Sequence, residues 1–199
     1  MIVAAFGDSI TAANQVAADK RWVELVNMRR KDDGVHVINS GVGGNTTREG
    51  LARIREDVLA HKPDMVLIEF GGNDATPDPE RHVSLDEFAD NLHSMHEQII
   101  TSCPGARVVL LTFPPVIDDW HTWKGDEFFA PDGGDAYVEK YRQATRNYAF
   151  VHGLALVDID KALRQAIENG STGQYILPDG VHLTEEGHAV VAEAVLGVV

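Results

Sequence analysis

Apolar residues along this chain gather into five short, nearly unbroken runs separated by longer stretches with helical spacing. The runs are Ile2–Phe6, Val35–Asn39, Met65–Phe70, Arg107–Thr112 and Leu154–Asp158. Segments this short, apolar on both faces, predict strands buried between two layers. Trp22 to Lys31 carries a helical pattern; its basic end, Arg29-Arg30-Lys31, suits the negative pole of a helix dipole, and Gly34 lies just beyond. Thr46 and Glu49 stand at capping-box spacing ahead of Leu51, Ile54 and Val58. Ser84 and Glu87 repeat that spacing ahead of Leu85, Phe88, Leu92, Met95 and Ile99, one apolar face of an amphipathic helix. Tyr137, Tyr141, Ala144, Tyr148 and Val151 line another helix, which Gly153 can end. Asp160 is placed to cap a short helix ending near Asn169-Gly170, and Thr184 to Val199 reads as the last helix. Strands alternating with helices predict an α/β fold, a three-layer α/β/α sandwich around a five-stranded parallel sheet. No repeat or shift of composition divides residues 1–199, so one domain is expected.

Parallel strands point their carboxyl ends the same way, and ligands of open α/β sheets bind along that edge. The edge would carry Ser9, the glycine-dense Gly41-Val42-Gly43-Gly44-Asn45 loop and Gly71-Gly72-Asn73-Asp74. Gly7-Asp8-Ser9 alone reads equally well as a turn, since all three residues favour turns. The balance changes at Asp179 and His182, three apart in a loop punctuated by Pro178 and Gly180, immediately before the last helix. A serine needs a base to become nucleophilic at neutral pH, and histidine is the usual one. A carboxylate on the other ring nitrogen fixes the tautomer and stabilises the imidazolium. Ser, Asp, His is one of the known chain orders for such a set. A base of this kind predicts activity that falls at mildly acidic pH, where an imidazole protonates.

With those residues in view, the chain resembles the SGNH hydrolase superfamily, also called the GDSL esterases and lipases. The resemblance rests on four blocks in the family's order: Gly7-Asp8-Ser9-Ile10, Asn39-Ser40-Gly41-Val42-Gly43-Gly44, Gly71-Gly72-Asn73-Asp74 and Asp179-Gly180-Val181-His182. Ile10 replaces the leucine of the family's nickname, and no G-x-S-x-G elbow surrounds Ser9. The resemblance implies a flavodoxin-like sandwich, Ser9 as nucleophile, His182 as general base and Asp179 as its orienting carboxylate. It also implies an oxyanion hole from the backbone N–H groups of Ser9 and Gly44 and the side-chain amide of Asn73. Those roles suit the residue types: Gly44 has no side chain to obstruct an intermediate, and Asn73 offers an uncharged donor. Asp8 and Asp74 lack a companion histidine and are expected to brace the loops. The implied activity is acyl-ester hydrolysis without a cofactor, through an acyl-serine, on short acyl groups such as O-acetylated carbohydrates. Lysophospholipids or other lipid esters, and acyl thioesters, are competing substrates for the same triad. A non-catalytic binding module is the alternative of a different class, but it has no need of Asp179 and His182 beside Ser9.

Composition narrows the partners. Seventeen basic against 31 acidic side chains leave a net charge of −14, which repels phosphate backbones and anionic bilayers. A small-molecule ester is therefore expected as partner, not nucleic acid or a membrane. No apolar run approaches the roughly 20 residues that cross a bilayer, and with no leader pattern a cytoplasmic location is expected. Cys103, the single cysteine, excludes an internal disulfide and is expected to be a buried thiol. His93 and His96 have helical spacing but no evident further ligand, so no metal is expected. Pro114 to Asp135 lacks periodicity and holds Trp120, Trp123, Phe128 and Phe129 among polar residues. Long irregular connections in compact domains are usually functional. It is expected to wall the substrate cleft, with Trp120 and Trp123 contacting substrate; the competing reading folds its rings back as a satellite core.

Overall fold

The computed structural model describes all 199 residues. Its five strands are β1 (Ile2–Gly7), β2 (His36–Gly41), β3 (Met65–Glu69), β4 (Arg107–Leu111) and β5 (Ala155–Val157). They form one parallel sheet in the order β2-β1-β3-β4-β5. The helices are α1 (Ser9–Ala12), α2 (Trp22–Arg30), α3 (Thr47–Asp57), α4 (Leu85–Ser102), α5 (Gly134–His152), α6 (Ile159–Asn169), α7 (Thr172–Tyr175) and α8 (Glu185–Leu196). On one face α2 packs on α8 and α8 on α6; on the other α3 packs on α4 and α4 on α5. Val3, Ala4, Ala5 and Phe6 of β1 are wholly buried, as a strand between two helical layers requires. Each large apolar side chain so buried contributes roughly 1.5–3 kcal/mol.

The register explains where a site must form. Gly7 pairs with Gly41 on one side and with Glu69 on the other, so β1, β2 and β3 end level. The chain leaves β1 toward β2 on one side and passes β1 to reach β3 on the other. A crevice opens at that reversal, outside the carboxyl ends of the strands.

Local chemistry meets expectation at one cap and departs from it in three places. Thr46 and Glu49 form the full capping box of α3. Ser84 accepts from Glu87 N, but the Glu87 carboxylate turns away to grip Arg48 with both oxygens. The cap of α6 is Asp158 and not Asp160, which lies buried in the first turn and pairs with Arg146 and Arg164. Asp158 won because its carboxylate reaches Lys161 N while also taking Arg146 and Thr112. The loop after β4 contains one turn of 3-10 helix, Glu127–Phe129, capped by Asp126.

That loop is tethered by a buried cation. The Arg142 side chain on α5 is fully enclosed. Its Nε donates to Phe113 O at 3.0 Å and its Nη2 to Pro114 O at 2.7 Å and Asp135 Oδ1 at 2.7 Å. Asp135 Oδ1 also accepts from Val116 N at 2.8 Å, and Asp135 N donates to Asp118 Oδ1 at 2.9 Å. Burial raises the Asp135 carboxyl, but Arg142 and the N–H donors outweigh it and hold it below the usual carboxylate range. Removing one member of a buried pair strands the other charge, at a cost of about 3–5 kcal/mol. Arg142→Leu is expected to destabilise by about that much in urea unfolding, whereas Arg29→Ala, from an exposed pair with Glu193, costs at most about 1 kcal/mol. Equal small losses would show that the tether bears no weight.

Candidate active site

Four segments deliver side chains to the crevice. Ser9 opens α1 directly after β1, and Asp8 caps that turn by accepting from Ile10 N at 2.9 Å. Asn73 follows β3 on the turn Gly71–Asp74. Gly44 lies in the loop between β2 and α3 with φ of 80°, a left-handed conformation that favours glycine. Asp179 and His182 come from the loop ahead of α8, closed by Leu177 N to His182 O at 2.8 Å and by the Ile176–Leu183 bridge. Thr184 then caps α8. Gly180 is required at the middle of that loop: a Cβ there would lie 2.7 Å from Ile117 O and 2.8 Å from His121 N.

These segments form one hydrogen-bonded chain. His182 Nε2 lies 3.0 Å from Ser9 Oγ, and His182 Nδ1 lies 2.8 Å from Asp179 Oδ2. Asp179 Oδ1 accepts from Val181 N at 3.0 Å and His182 N at 2.9 Å. Burial raises the Asp179 carboxyl, yet these N–H donors and the imidazole outweigh it and keep it below the ordinary range. The carboxylate is therefore held in its ionised form. With a carboxylate on Nδ1, the Nε2 lone pair faces the hydroxyl, the arrangement that lets an imidazole accept the serine proton.

The three loops at the sheet edge carry N–H donors. The backbone N–H groups of Ser9 and Gly44 donate to no acceptor of the chain. Asn73 Nδ2 donates to Asp8 Oδ2 at 3.0 Å and Asn45 O at 3.1 Å, so an oxyanion would have to share one of those N–H groups. Asp74, fully buried, accepts from Thr47 N and the Thr47 hydroxyl; burial raises its pKa to about 6. Both aspartates brace loops, as expected from the lack of a companion histidine.

A cleft of about 270 Å³ opens over the serine, lined by Ser9, Asn73, Asp179 and His182 with Gly72, Phe113, Val116, His121, Thr122, Trp123 and Val181. Trp123 thus reaches the cleft, while also stacking on buried Phe129 at 4.8 Å. Trp120 does not line it: its ring tip lies near Gly173 and its Cβ near Gly180, and the side chain is exposed. The aromatic stretch divides between two spaces: Phe129 folds inward with Tyr137, and Trp123 borders both that cluster and the cleft. His121 was not singled out in the sequence; its Nδ1 accepts from Trp123 N at 3.1 Å, and burial lowers its pKa. Arg53 was missed as well. It donates to Gly7 O, Ser40 O, Asn45 Oδ1 and Asp57, joining the segments that carry Ser9 and Gly44. Neither carries a motif; only the fold brings them to the crevice. His93 and His96 lie away from it, each with Nδ1 near Tyr148 Oη.

Comparison with known proteins supplies the family. Residues 5–190 match the GDSL-like Lipase/Acylhydrolase family. The chain belongs to that family. An acetylxylan esterase of Geobacillus stearothermophilus is 30% identical over 82% of this chain and 71% of its own. The crystal structure of Axe2, an acetylxylan esterase from Geobacillus stearothermophilus, has a TM-score of 0.79 at 26% identity, covering 98% of this chain and 92% of that one. LAE5, an α/β hydrolase enzyme from the metagenome of Lake Arreo, has a TM-score of 0.81 at 25% identity over 98% and 93%. The GDSL protein described here is a carboxylic ester hydrolase with the SGNH hydrolase fold, and the non-catalytic binding alternative is set aside. No helix of it is long and apolar enough to cross a membrane.

The ionised Asp179 generates a test. Asp179→Asn reverses the preferred tautomer, and kcat on an activated ester is expected to drop by about 10³- to 10⁴-fold.

Proposed function

We propose that residues 1–199 act as one hydrolase domain that cleaves short-chain acyl esters, such as O-acetylated carbohydrates, through an acyl-serine on Ser9. The observation that carries this reading is the 3.0 Å approach of His182 Nε2 to Ser9 Oγ, with Asp179 at 2.8 Å on the other nitrogen. Ser9 Oγ attacks the carbonyl carbon as its proton passes to His182 Nε2. The oxyanion takes hydrogen bonds from Ser9 N, Gly44 N and Asn73 Nδ2. Collapse breaks the ester bond, and His182 returns the proton to the leaving alkoxide. Water then attacks the acyl-serine, His182 accepts its proton, and collapse frees the acid and restores the Ser9 hydroxyl.

Size and charge support the substrate class. The cleft volume of about 270 Å³ lies just below the roughly 300–1,000 Å³ of sites for drug-sized ligands, which suits a short acyl group. Phe113, Val116, Trp123 and Val181 give it apolar walls, while Asp118, Asp119, Asp126 and Glu127 border the adjoining hollow behind Trp123. That acidity disfavours polyanionic acyl carriers and anionic lipid head groups; a neutral sugar meets no such field. Trp123 offers a ring face to it.

A fluorophosphonate is expected to add its mass to the Ser9 peptide, and Ser9→Ala to be unlabelled and nearly inactive. Labelling elsewhere, with full activity in Ser9→Ala, would refute the assignment. For the substrate class, the enzyme and Trp123→Ala would be compared on acetylated sugars, p-nitrophenyl esters of graded length, a lysolipid and an acyl thioester. The proposal expects the acetylated sugar to lead in kcat/KM, and Trp123→Ala to lose several-fold more on it than on p-nitrophenyl acetate. A lead for the lysolipid or the thioester would move the natural substrate to that class.

A further inference from the structure

Beneath the nucleophile turn lies a pair of carboxyls that the chemistry above does not use. Asp8 and Glu69 are 0% and 1% exposed, and neither forms an ion pair. Asp8 spends Oδ1 on Ile10 N at 2.9 Å and Oδ2 on Asn73 Nδ2 at 3.0 Å. Glu69, the last residue of β3 and level with Gly7 in the sheet, accepts at Oε2 from Thr11 Oγ1 at 3.1 Å. Its Oε1 is buried and receives no donor. Glu69 Oε2 lies 2.8 Å from where a Cβ on Gly7, the residue before Asp8, would stand, so the two carboxyls are close enough for the charge on one to act on the other. Two adjacent buried carboxylates cannot both ionise cheaply, and an undonated carboxyl oxygen beside an acceptor is where a proton belongs.

The neighbourhood offers little other compensation: the Asp8 backbone N–H favours an ionised Glu69, but burial and the Asp8 charge outweigh it. From the turn after β3, Asp74 adds a further acidic group that raises Asp8. From α3, Arg53 commits its guanidinium to Gly7 O, Ser40 O, Asn45 Oδ1 and Asp57. From α1, only the neutral Thr11 faces Glu69. Burial lifts Asp8 to about 7, and burial with the Asp8 charge lifts Glu69 well above the carboxylate range.

We propose that Glu69 is a positioning residue of the oxyanion site: its carboxyl keeps a proton, donates it to Asp8, and so fixes the carboxylate that holds the Asn73 amide. Asp8 then needs no cation, and its single charge is spread over three donors: Ile10 N, Asn73 Nδ2 and the Glu69 hydroxyl. When alkali removes the shared proton, two anions repel under the turn and the Asn73 amide loses its anchor. Activity therefore declines at high pH for a reason unconnected with His182.

The kinetic part of this inference rests on the acyl-serine reading, so the test has one arm that does not. Glu69→Ala should lower kcat by about 10²-fold with little change in KM, the signature of lost oxyanion stabilisation. Glu69→Gln, whose amide can donate to Asp8 and accept from Thr11, should restore most of that loss and flatten the alkaline limb of kcat. In the second arm, infrared spectra of Ser9→Ala at about pH 8, where ordinary carboxyls are ionised, should contain a protonated-carboxyl band. The same spectrum of Ser9→Ala carrying Glu69→Gln should lack it. Equal damage from Gln and Ala, an unmoved alkaline limb, or a band that is absent or survives Glu69→Gln would each overturn the proposal. If Glu69→Ala does not fold, the infrared pair and the Gln profile still decide. Failure of a fluorophosphonate to label Ser9 would remove the acyl-serine reading alone, leaving the infrared result to stand or fall separately.

Discussion

A hydrogen bond of 3.0 Å joins Ser9 Oγ to His182 Nε2 across 173 positions of sequence, and much of the architecture serves to keep it short. The sheet aligns the ends of β1, β2 and β3, so the Ser9 turn, the Gly44 loop and the Asn73 turn start from one level. The histidine arrives from outside the sheet, on a loop pinned to α8 by Thr184 and to the wall by Ile117 N to Gly180 O at 2.8 Å. An error of an ångström at any of these anchors would appear at the proton-transfer distance, where it matters most.

The molecule separates three electrostatic tasks. At the cleft, Asp179 is exposed enough to be solvated and bonded well enough to remain an anion. Beneath the turn, burial raises the pKa of acidic groups that serve as hydrogen-bonding braces. At the back of the wall, Arg142, Arg146 and Arg164 meet Asp135, Glu139, Asp158 and Asp160 in a network that fixes where the loop leaves β4 and enters α5. Acidity thus supplies an orienting charge, a set of braces and an anchor in three different dielectric surroundings.

Much of this was legible in the residues. Apolar runs marked all five strands because a strand covered on both faces admits few polar side chains. Four short blocks marked the crevice because chemistry restricts residue type there. Less legible were features that depend on three-dimensional competition. Asp158 displaced Asp160 as a cap because Arg146 and Thr112 were in reach, and Glu87 left its capping box for Arg48. Trp120 and Trp123 look equivalent in sequence, yet the packing of the loop on Gly180 turns only the second toward the cleft. Arg53 and Arg142 carry no motif, since a buried arginine is recognised by the carbonyls around it and not by its neighbours in sequence.

The parallel sheet has a kinetic consequence. Every pairing in it joins strands separated by a crossover, and topologies dominated by such non-local contacts fold slowly. A partly folded chain with β1, β2 and β3 docked would already present Ser9, Gly44 and Asn73, but it would lack the His182 contact to Ser9 until the segment before α8 settles. On the proposed acyl-serine mechanism, recovery of hydrolysis during refolding times the arrival of the carboxyl-terminal segment, whereas recovery of helical signal times the layers beneath it.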